Sequence, residues 1–331
     1  MLNRSLRACT PSREDPLPGS HVIERDSYHY MWSKNHPPVL EVESGEKVSF
    51  QVQEVTSSQL TKASTNADVA RLDPAKFYPL TGPVKIRGAV PGDALAIDVL
   101  KVDTVDWGWS AIIPGLGILE EFTEPFLWTW KLSKRKWLLF RNGLRVEFNP
   151  FCGVMGVAPA SEGPTEVMPP GNHGGNMDIR HLTVGSRLIL PVLVDGALFS
   201  VGDIHAAQGD GEVCVTAIEC SGEVALGFNL IKRAHFDAPR YFTAPKNENR
   251  RYYVTTGISS DLMDACRKAL RRMIADLARS SGLSREEAYI FCSVAGDLRV
   301  HEIVDQPNWV VGFMIPLDCL GVAGRRLGSI R

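Results

Sequence analysis

The chain lacks the marks of several large enzyme classes. No Gly-x-Ser-x-Gly elbow occurs in its 331 residues, which removes the usual setting for a nucleophilic serine. His301-Glu302 opens like a zinc-protease helix, yet Asp305 stands where the second histidine belongs and the surrounding residues read as strand. Gly115-Leu116-Gly117 and Gly153-Val154-Met155-Gly156 have neither the strand and helix nor the third glycine of a dinucleotide fingerprint, and no phosphate-loop lysine motif is present. Nucleotide cofactors are therefore not expected.

Cysteine is sparse and scattered. The seven residues, at 9, 152, 214, 220, 266, 292 and 319, form no Cys-x-x-Cys pair, and an odd count makes no complete disulfide framework. A reducing, cytoplasmic location is the expectation, in keeping with the missing apolar segment before Pro11. The longest apolar stretch, residues 188–201, is cut by Pro191, Asp195 and Gly196 and falls short of the ~20 residues that cross a bilayer. An excess of one charge is missing too. Thirty-six basic residues against 38 acidic ones leave a net charge of -2, so no global field favours nucleic acid or anionic lipid.

What is present is a β grammar followed by a helical one. With 44% hydrophobic residues the chain can bury a core as one large domain or two ordinary ones. Residues 1–20, rich in proline and charge, are expected to form an N-terminal arm. Val39-Leu40-Glu41-Val42-Glu43 and Lys47-Val48-Ser49-Phe50-Gln51-Val52 alternate about a Ser44-Gly45-Glu46 turn, and Val84-Lys85-Ile86-Arg87 and Ala94 to Val99 do so about Pro91-Gly92-Asp93. Two hairpins and a β-sandwich or barrel core over 21–165 are expected. An aromatic segment, Phe126 to Trp130 and Trp137 to Phe140 about a basic turn, reads as a projecting hairpin whose rings pack on their own domain or form a pocket wall or subunit contact.

Residues 166–331 are expected to hold the polar cluster and an α+β C-terminal part. Leu262, Met263, Cys266, Ala269, Leu270, Met273, Ile274 and Leu277 recur at helical spacing, with Ser259 or Ser260 as cap and Gly282 as stop. Ser284 and Glu287 form a capping box for a second helix, and a strand is expected over 298–304.

Polar residues concentrate between Pro169 and Cys220. Asp203 and His205 are one residue apart, so along an extended segment both side chains project to one side. Residues 213–219 are expected to return as a strand carrying Glu219 inward, and Asp178 can arrive from the glycine loop. Three carboxylates and an imidazole suit zinc, or a harder cation such as calcium or manganese, better than a thiolate-selective ion. Each residue also has an ordinary reading as a turn-stabilising or surface group, and spacing alone does not choose between them.

The runs His173-Gly174-Gly175-Asn176-Met177-Asp178 and Gly202-Asp203-Ile204-His205-Ala206-Ala207-Gln208-Gly209-Asp210-Gly211-Glu212 resemble the acetamidase/formamidase family. The likeness extends back through Gly82-Pro83-Val84, Pro91-Gly92-Asp93 and His29-x-x-Trp32, covering roughly residues 25 to 320. The aromatic hairpin is less typical of that family. The resemblance implies hydrolysis of a small aliphatic amide to carboxylate and ammonia on a β-rich, self-associating fold. It also implies divalent metal, zinc first, held by Asp178, Asp203, His205 and Glu219, with His29 and His173 as further candidates. A cation lowers the pKa of water toward ~7 and stabilises an oxyanion. His173 or Glu212, in glycine-flexed turns beside the ligands, is the expected proton shuttle. A hydrolase of a bulkier or cyclic amide, or a non-catalytic metal-stabilised binding protein, are the alternatives.

Overall fold

The computed structural model describes residues 20–132, 136–244, 250–320 and 327. The expected N-terminal arm lies, but for residue 20, outside them. The architecture is mainly β, with two nine-stranded sheets and helices on the C-terminal side.

The first sheet runs in the order Ser20–Ile23, Lys47–Val52, Gly222–Ile231, Ala94–Thr104, Arg187–Pro191, Arg240–Phe242, Tyr252–Ser259, Trp309–Pro316 and Asp297–Glu302. The path of the second runs Gly174–Asn176, Phe151–Gly156, Phe199–His205, Glu219–Cys220, Trp107–Ile112 and Phe126–Lys131. Leu80–Ile86 joins it beside Phe199–His205 and itself pairs with Tyr28–His29 and Leu40–Val42.

Alternation explains the layering. Leu95 and Ile97, and Leu188 and Leu190, point into a core that Val84, Phe199, Val201 and Ile204 enter from the second sheet. Their neighbours Ala94, Ala96 and Ile189 face the opposite way, into a second core completed by Ala265, Ala269, Met273 and Leu277 of the long helix Leu262–Ser281. The first sheet is thus greasy on both faces, and each fully buried aliphatic side chain contributes ~1.5–3 kcal/mol. Strands from either side of residue 165 share both sheets, so the divisions 21–165 and 166–331 follow chain order rather than separately paired layers.

Both expected hairpins are corrected. Leu40–Val42 pairs with Leu80–Ile86 in the second sheet, while Lys47–Val52 pairs with Gly222–Ile231 and Ser20–Ile23 in the first. Likewise Leu80–Ile86 and Ala94–Thr104 lie in different sheets. Each turn passes the chain across the sandwich. Alternation shows that a strand has a buried face, not which strand lies beside it.

The aromatic segment is not one hairpin either. Phe126–Lys131 pairs back onto Trp107–Ile112, and Trp137–Leu139 pairs with Arg145–Glu147. Its rings gather locally, with Phe140 4.5 Å from Trp128 and 5.3 Å from Trp130, centroid to centroid.

The long helix starts at Asp261, whose side chain accepts from the backbone N–H of Asp264, rather than at Ser259 or Ser260. Gly282 ends it in the left-handed conformation, as expected. Met263 points to solvent, breaking the stripe read from the sequence. The Ser284–Glu287 capping box opens the second helix, Arg285–Ala295, as expected. A buried ion pair, Arg240 Nε to Asp276 Oδ2 at 2.7 Å, ties the long helix to the first sheet, and the Tyr253 hydroxyl donates to the same oxygen at 2.7 Å.

Candidate metal and active site

Four segments of chain deliver an acid–histidine cluster to the floor of one cavity. Phe199–His205 ends on Asp203 and His205, Glu219 opens the strand beside it, Asp178 follows Gly174–Asn176, and Glu212 comes from the loop between strands. All five are buried. His205 Nε2 lies 3.2 Å from Asp203 Oδ1 and 3.1 Å from Glu219 Oε2, and His205 Nδ1 lies 3.6 Å from Asp178 Oδ1. Gln208 Oε1 meets His205 Nδ1 at 2.9 Å, and Gln208 Nε2 donates to the carbonyl of Asp178 at 2.7 Å, which fixes the ring.

The route to this convergence differs from simple strand alternation. Asp178, Asp203 and Glu212 have φ of 46°, 57° and 45°, in the left-handed region that side-chain-bearing residues seldom occupy. Asp203 is a kink within its strand, and the kink turns its carboxylate toward the imidazole. Residues 213–218 do not return as a strand; the strand is only Glu219–Cys220, and Val213 is exposed. Space for the cluster comes from the neighbouring strand. A Cβ added at Gly153 would overlap Asp178 Oδ1 and come within 2.8 Å of His205 Cε1 and 3.0 Å of Asp203 Oδ2.

The electrostatics call for positive charge. Burial, and then the neighbouring Asp203, pushes the Glu219 carboxyl up to about 8 and Asp178 to about 6, with His205 opposing in both. Burial and the Asp178 charge likewise raise Glu212 and Asp305. Burial alone would lower His205, but Glu219 and Asp203 outweigh it and hold the imidazole well above its ordinary value. Asp178 Oδ1, Asp203 Oδ1 and Glu219 Oε2 are buried without a hydrogen-bond partner. Ligand atoms around a tetrahedral zinc stand ~3.3 Å apart, close to the spacing around His205 Nε2. Asp178, His205 and Glu212, and Asp203, His205 and Glu219, each present donor atoms within 4.8 Å of one another. The donor set therefore fits a divalent cation. Thiolate is not available: burial pushes Cys152 up to about 12 and Cys220 well above the ordinary thiol value.

The remaining candidates are placed elsewhere. His29 spends Nδ1 on the Met31 carbonyl and Nε2 on the Ser200 hydroxyl, both at 2.8 Å, and does not join the cluster. His173 packs edge-on against Trp32, 5.3 Å between centroids, and burial lowers it to about 4; it is not among the residues lining the cavity. Tyr78, Asn176 and Asp305 do line it, and the sequence reading assigned none of them to the site. Asn176 Nδ2 donates to Asp305 Oδ2 at 2.6 Å, leaving Asn176 Oδ1 buried and unpartnered. Asp305 lies far along the chain, and nothing in its local sequence marks it as a partner of Asn176.

The cavity measures about 580 Å³. The acids and His205 form its polar side; Val69, Leu72, Phe77, Ile113 and Leu116 are among the residues of its apolar wall. One polar end and one greasy wall suit a ligand with a reacting head and an apolar body.

Fold and cluster together define a two-sheet β protein with an acid–histidine centre in a single cleft. The chain belongs to the acetamidase/formamidase family, whose model matches residues 19–168 and 162–321. A formamidase of Methylophilus methylotrophus is 27% identical over 88% of this chain and 88% of its own length. The solved acetamidase of Bacillus halodurans has a TM-score of 0.84 at 32% identity, covering 91% of this chain and 98% of its own. A γ-lactamase from Delftia acidovorans has a TM-score of 0.64 at 27% identity, over 88% and 89%.

Proposed function

We propose that this chain is a metal-dependent amidase that cleaves a small aliphatic amide of the formamide or acetamide type into carboxylate and ammonia. The observation that carries the reading is the set of buried carboxylates gathered within 3.6 Å of His205 at the polar end of the cavity. Membership of a family whose relatives include a formamidase and an acetamidase supports the bond that is cut.

Asp203, His205 through Nε2 and Glu219 would hold the cation, zinc first, with calcium or manganese as alternatives, while Asp178 meets the opposite ring nitrogen beside Gln208. When bound, it supplies a Lewis acid and water of lowered pKa, which an unreactive amide carbonyl needs. Glu212 faces the same space, its carboxylate within 4.8 Å of Asp178 and His205 atoms, and would carry a proton from attacking water to the departing nitrogen. Asn176 Oδ1 would accept from the amide N–H₂ and orient it. The apolar wall would hold the acyl chain.

The test is ammonia release by the purified chain together with its metal content. Activity lost to a chelator, restored by zinc and missing in Asp203→Asn supports the reading. Full activity in the chelator removes the metal, and bound metal with no turnover of any amide makes the chain a binding protein.

A second reading has its own support. A cavity of about 580 Å³ sits within the ~300–1,000 Å³ range of drug-sized ligand sites, far more than a three-heavy-atom amide fills. The likeness to a γ-lactamase points the same way, toward a bulkier or cyclic amide. Turnover compared across formamide, acetamide, longer acyl amides and a five-membered lactam separates the two. Self-association and a cytoplasmic location complete the proposal. Among the described residues six cysteines are free thiols, and no helix is long and apolar enough to cross a membrane.

A further inference from the structure

A second cluster stands apart from the cavity, and its residues play no part in the chemistry above. His181, Asp210 and His301 present ligand atoms within 4.8 Å of one another. His181 Nε2 lies 3.9 Å and His301 Nδ1 3.7 Å from the same oxygen, Asp210 Oδ1. Both imidazoles are fully buried, whereas the Asp210 side chain retains 28% of its exposure, so one side of the triad opens toward water.

We propose that these three residues form a second cation site, specific for an imidazole-seeking divalent ion such as zinc. The first argument is the unsatisfied nitrogens. Neither ring nitrogen of His181 has a hydrogen-bond partner, nor does His301 Nδ1. Burying polar groups in this way costs ~1–3 kcal/mol each unless something compensates. The second argument is the orientation of His301. Its Nε2 meets the Tyr241 hydroxyl at 2.8 Å, the outer hydrogen bond that commonly fixes a ligating imidazole. In the tautomer whose Nε2 donates to the tyrosine, the Nδ1 lone pair faces a carboxylate oxygen, and a cation between the two would satisfy both. The third is room. Gly312 lies against His301 Nε2, and a Cβ there would overlap the ring.

Charge around the triad is mixed. Arg299 Nη1 approaches Asp210 Oδ2 at 3.7 Å, and Arg180 adds positive field, so Asp210 turns one oxygen to arginine and the other to the imidazoles. Two histidines, one carboxylate and an open side match the three-ligand pattern of zinc. Bringing each imidazole to the tetrahedral spacing of ~3.3 Å from Asp210 Oδ1 asks for about half an ångström of movement.

The placement gives the site a role. Three stretches of chain each feed both clusters: Asp178 and His181, Glu212 and Asp210, and Asp305 and His301. His301 stands where the pairing slips between Val300 and Glu302, and its neighbour Glu302 accepts from the backbone N–H of Asp305 at 2.5 Å. An ion on Asp210 would therefore pin the loop that carries Glu212 and Gln208.

Zinc stoichiometry of the full chain tests this. The unaltered protein, stripped and reloaded, should hold two equivalents, and Asp210→Asn and Asp203→Asn should each lose one. Zinc-soaked crystals of the unaltered chain should show an anomalous peak between His181 and His301. If Asp210→Asn fails to fold, His181→Gln and that peak decide the matter. Equal zinc in the unaltered chain and in Asp210→Asn, with no peak at the triad, overturns the proposal. One equivalent in the unaltered chain and none in Asp210→Asn would uphold it while removing the cation from the cavity, so the two readings fail separately.

Discussion

Gly153 lies across the antiparallel ladder from Asp203, between the Cys152–Ile204 and Val154–Gly202 pairs, and the volume its missing side chain leaves is filled by acid and imidazole. Gly153→Ala should therefore damage the site before it damages the fold. Overpacking of this kind costs ~1–3 kcal/mol, and a ligand displaced by ~1 Å can lose about 10²-fold in rate. Amide turnover should fall by about that factor with only a modest loss in thermal stability. Unchanged kinetics would mean that the cluster is not where the reaction occurs.

Glu212→Gln separates proton transfer from cation binding. The expected result is a fall in kcat of ~10²–10⁴-fold with metal content intact. A parallel loss of bound metal would instead make Glu212 a ligand, which its position beside Asp178 and His205 permits.

Ile113→Trp narrows the apolar wall without touching the polar end. Bulky or cyclic amides should lose ~10–200-fold in kcat/KM, the range that methylene-sized changes in an apolar pocket produce, while formamide keeps its rate. Equal loss for all substrates would show that the wall does not select by size.

Asp276→Ala tests the joint between the long helix and the first sheet. It removes the closest carboxylate of Arg240, 3% exposed, leaving it the Ala238 carbonyl and Asp237 at 3.7 Å, and removes the acceptor of the Tyr253 hydroxyl. Urea unfolding should show a loss of ~3–5 kcal/mol, as for other buried pairs broken on one side. A loss below 1 kcal/mol would mean that the chain relaxes to hydrate the guanidinium.

The legible part of the site was its local part. Asp178, Asp203, His205, Glu212 and Glu219 sit in two glycine-rich runs and the strand after them, and they meet in one place. Asp305 and Tyr78 come from distant segments, and their contribution depends on pairings between sheets that periodicity does not encode. For the same reason the turns at 44–46 and 91–93 looked like hairpins: a turn and two alternating strands look the same whether the second strand folds back or crosses the sandwich. His29 stood out by type, but its two neighbours, the Met31 carbonyl and the Ser200 hydroxyl, are invisible in a linear reading. The His181–Asp210–His301 triad was hidden because its members are spread over three segments.

The left-handed backbone at Asp178, Asp203 and Glu212 bears on how the molecule would behave when stripped. Such conformations cost of order 1–3 kcal/mol apiece and persist only where the surrounding scaffold imposes them. On the proposed reading, the sandwich thus sets the donors before an ion arrives, unlike small zinc modules that melt without their metal. Dialysis against a chelator should leave a folded, inert vessel whose circular dichroism is unaltered, and recharging it should be a matter of diffusion rather than refolding.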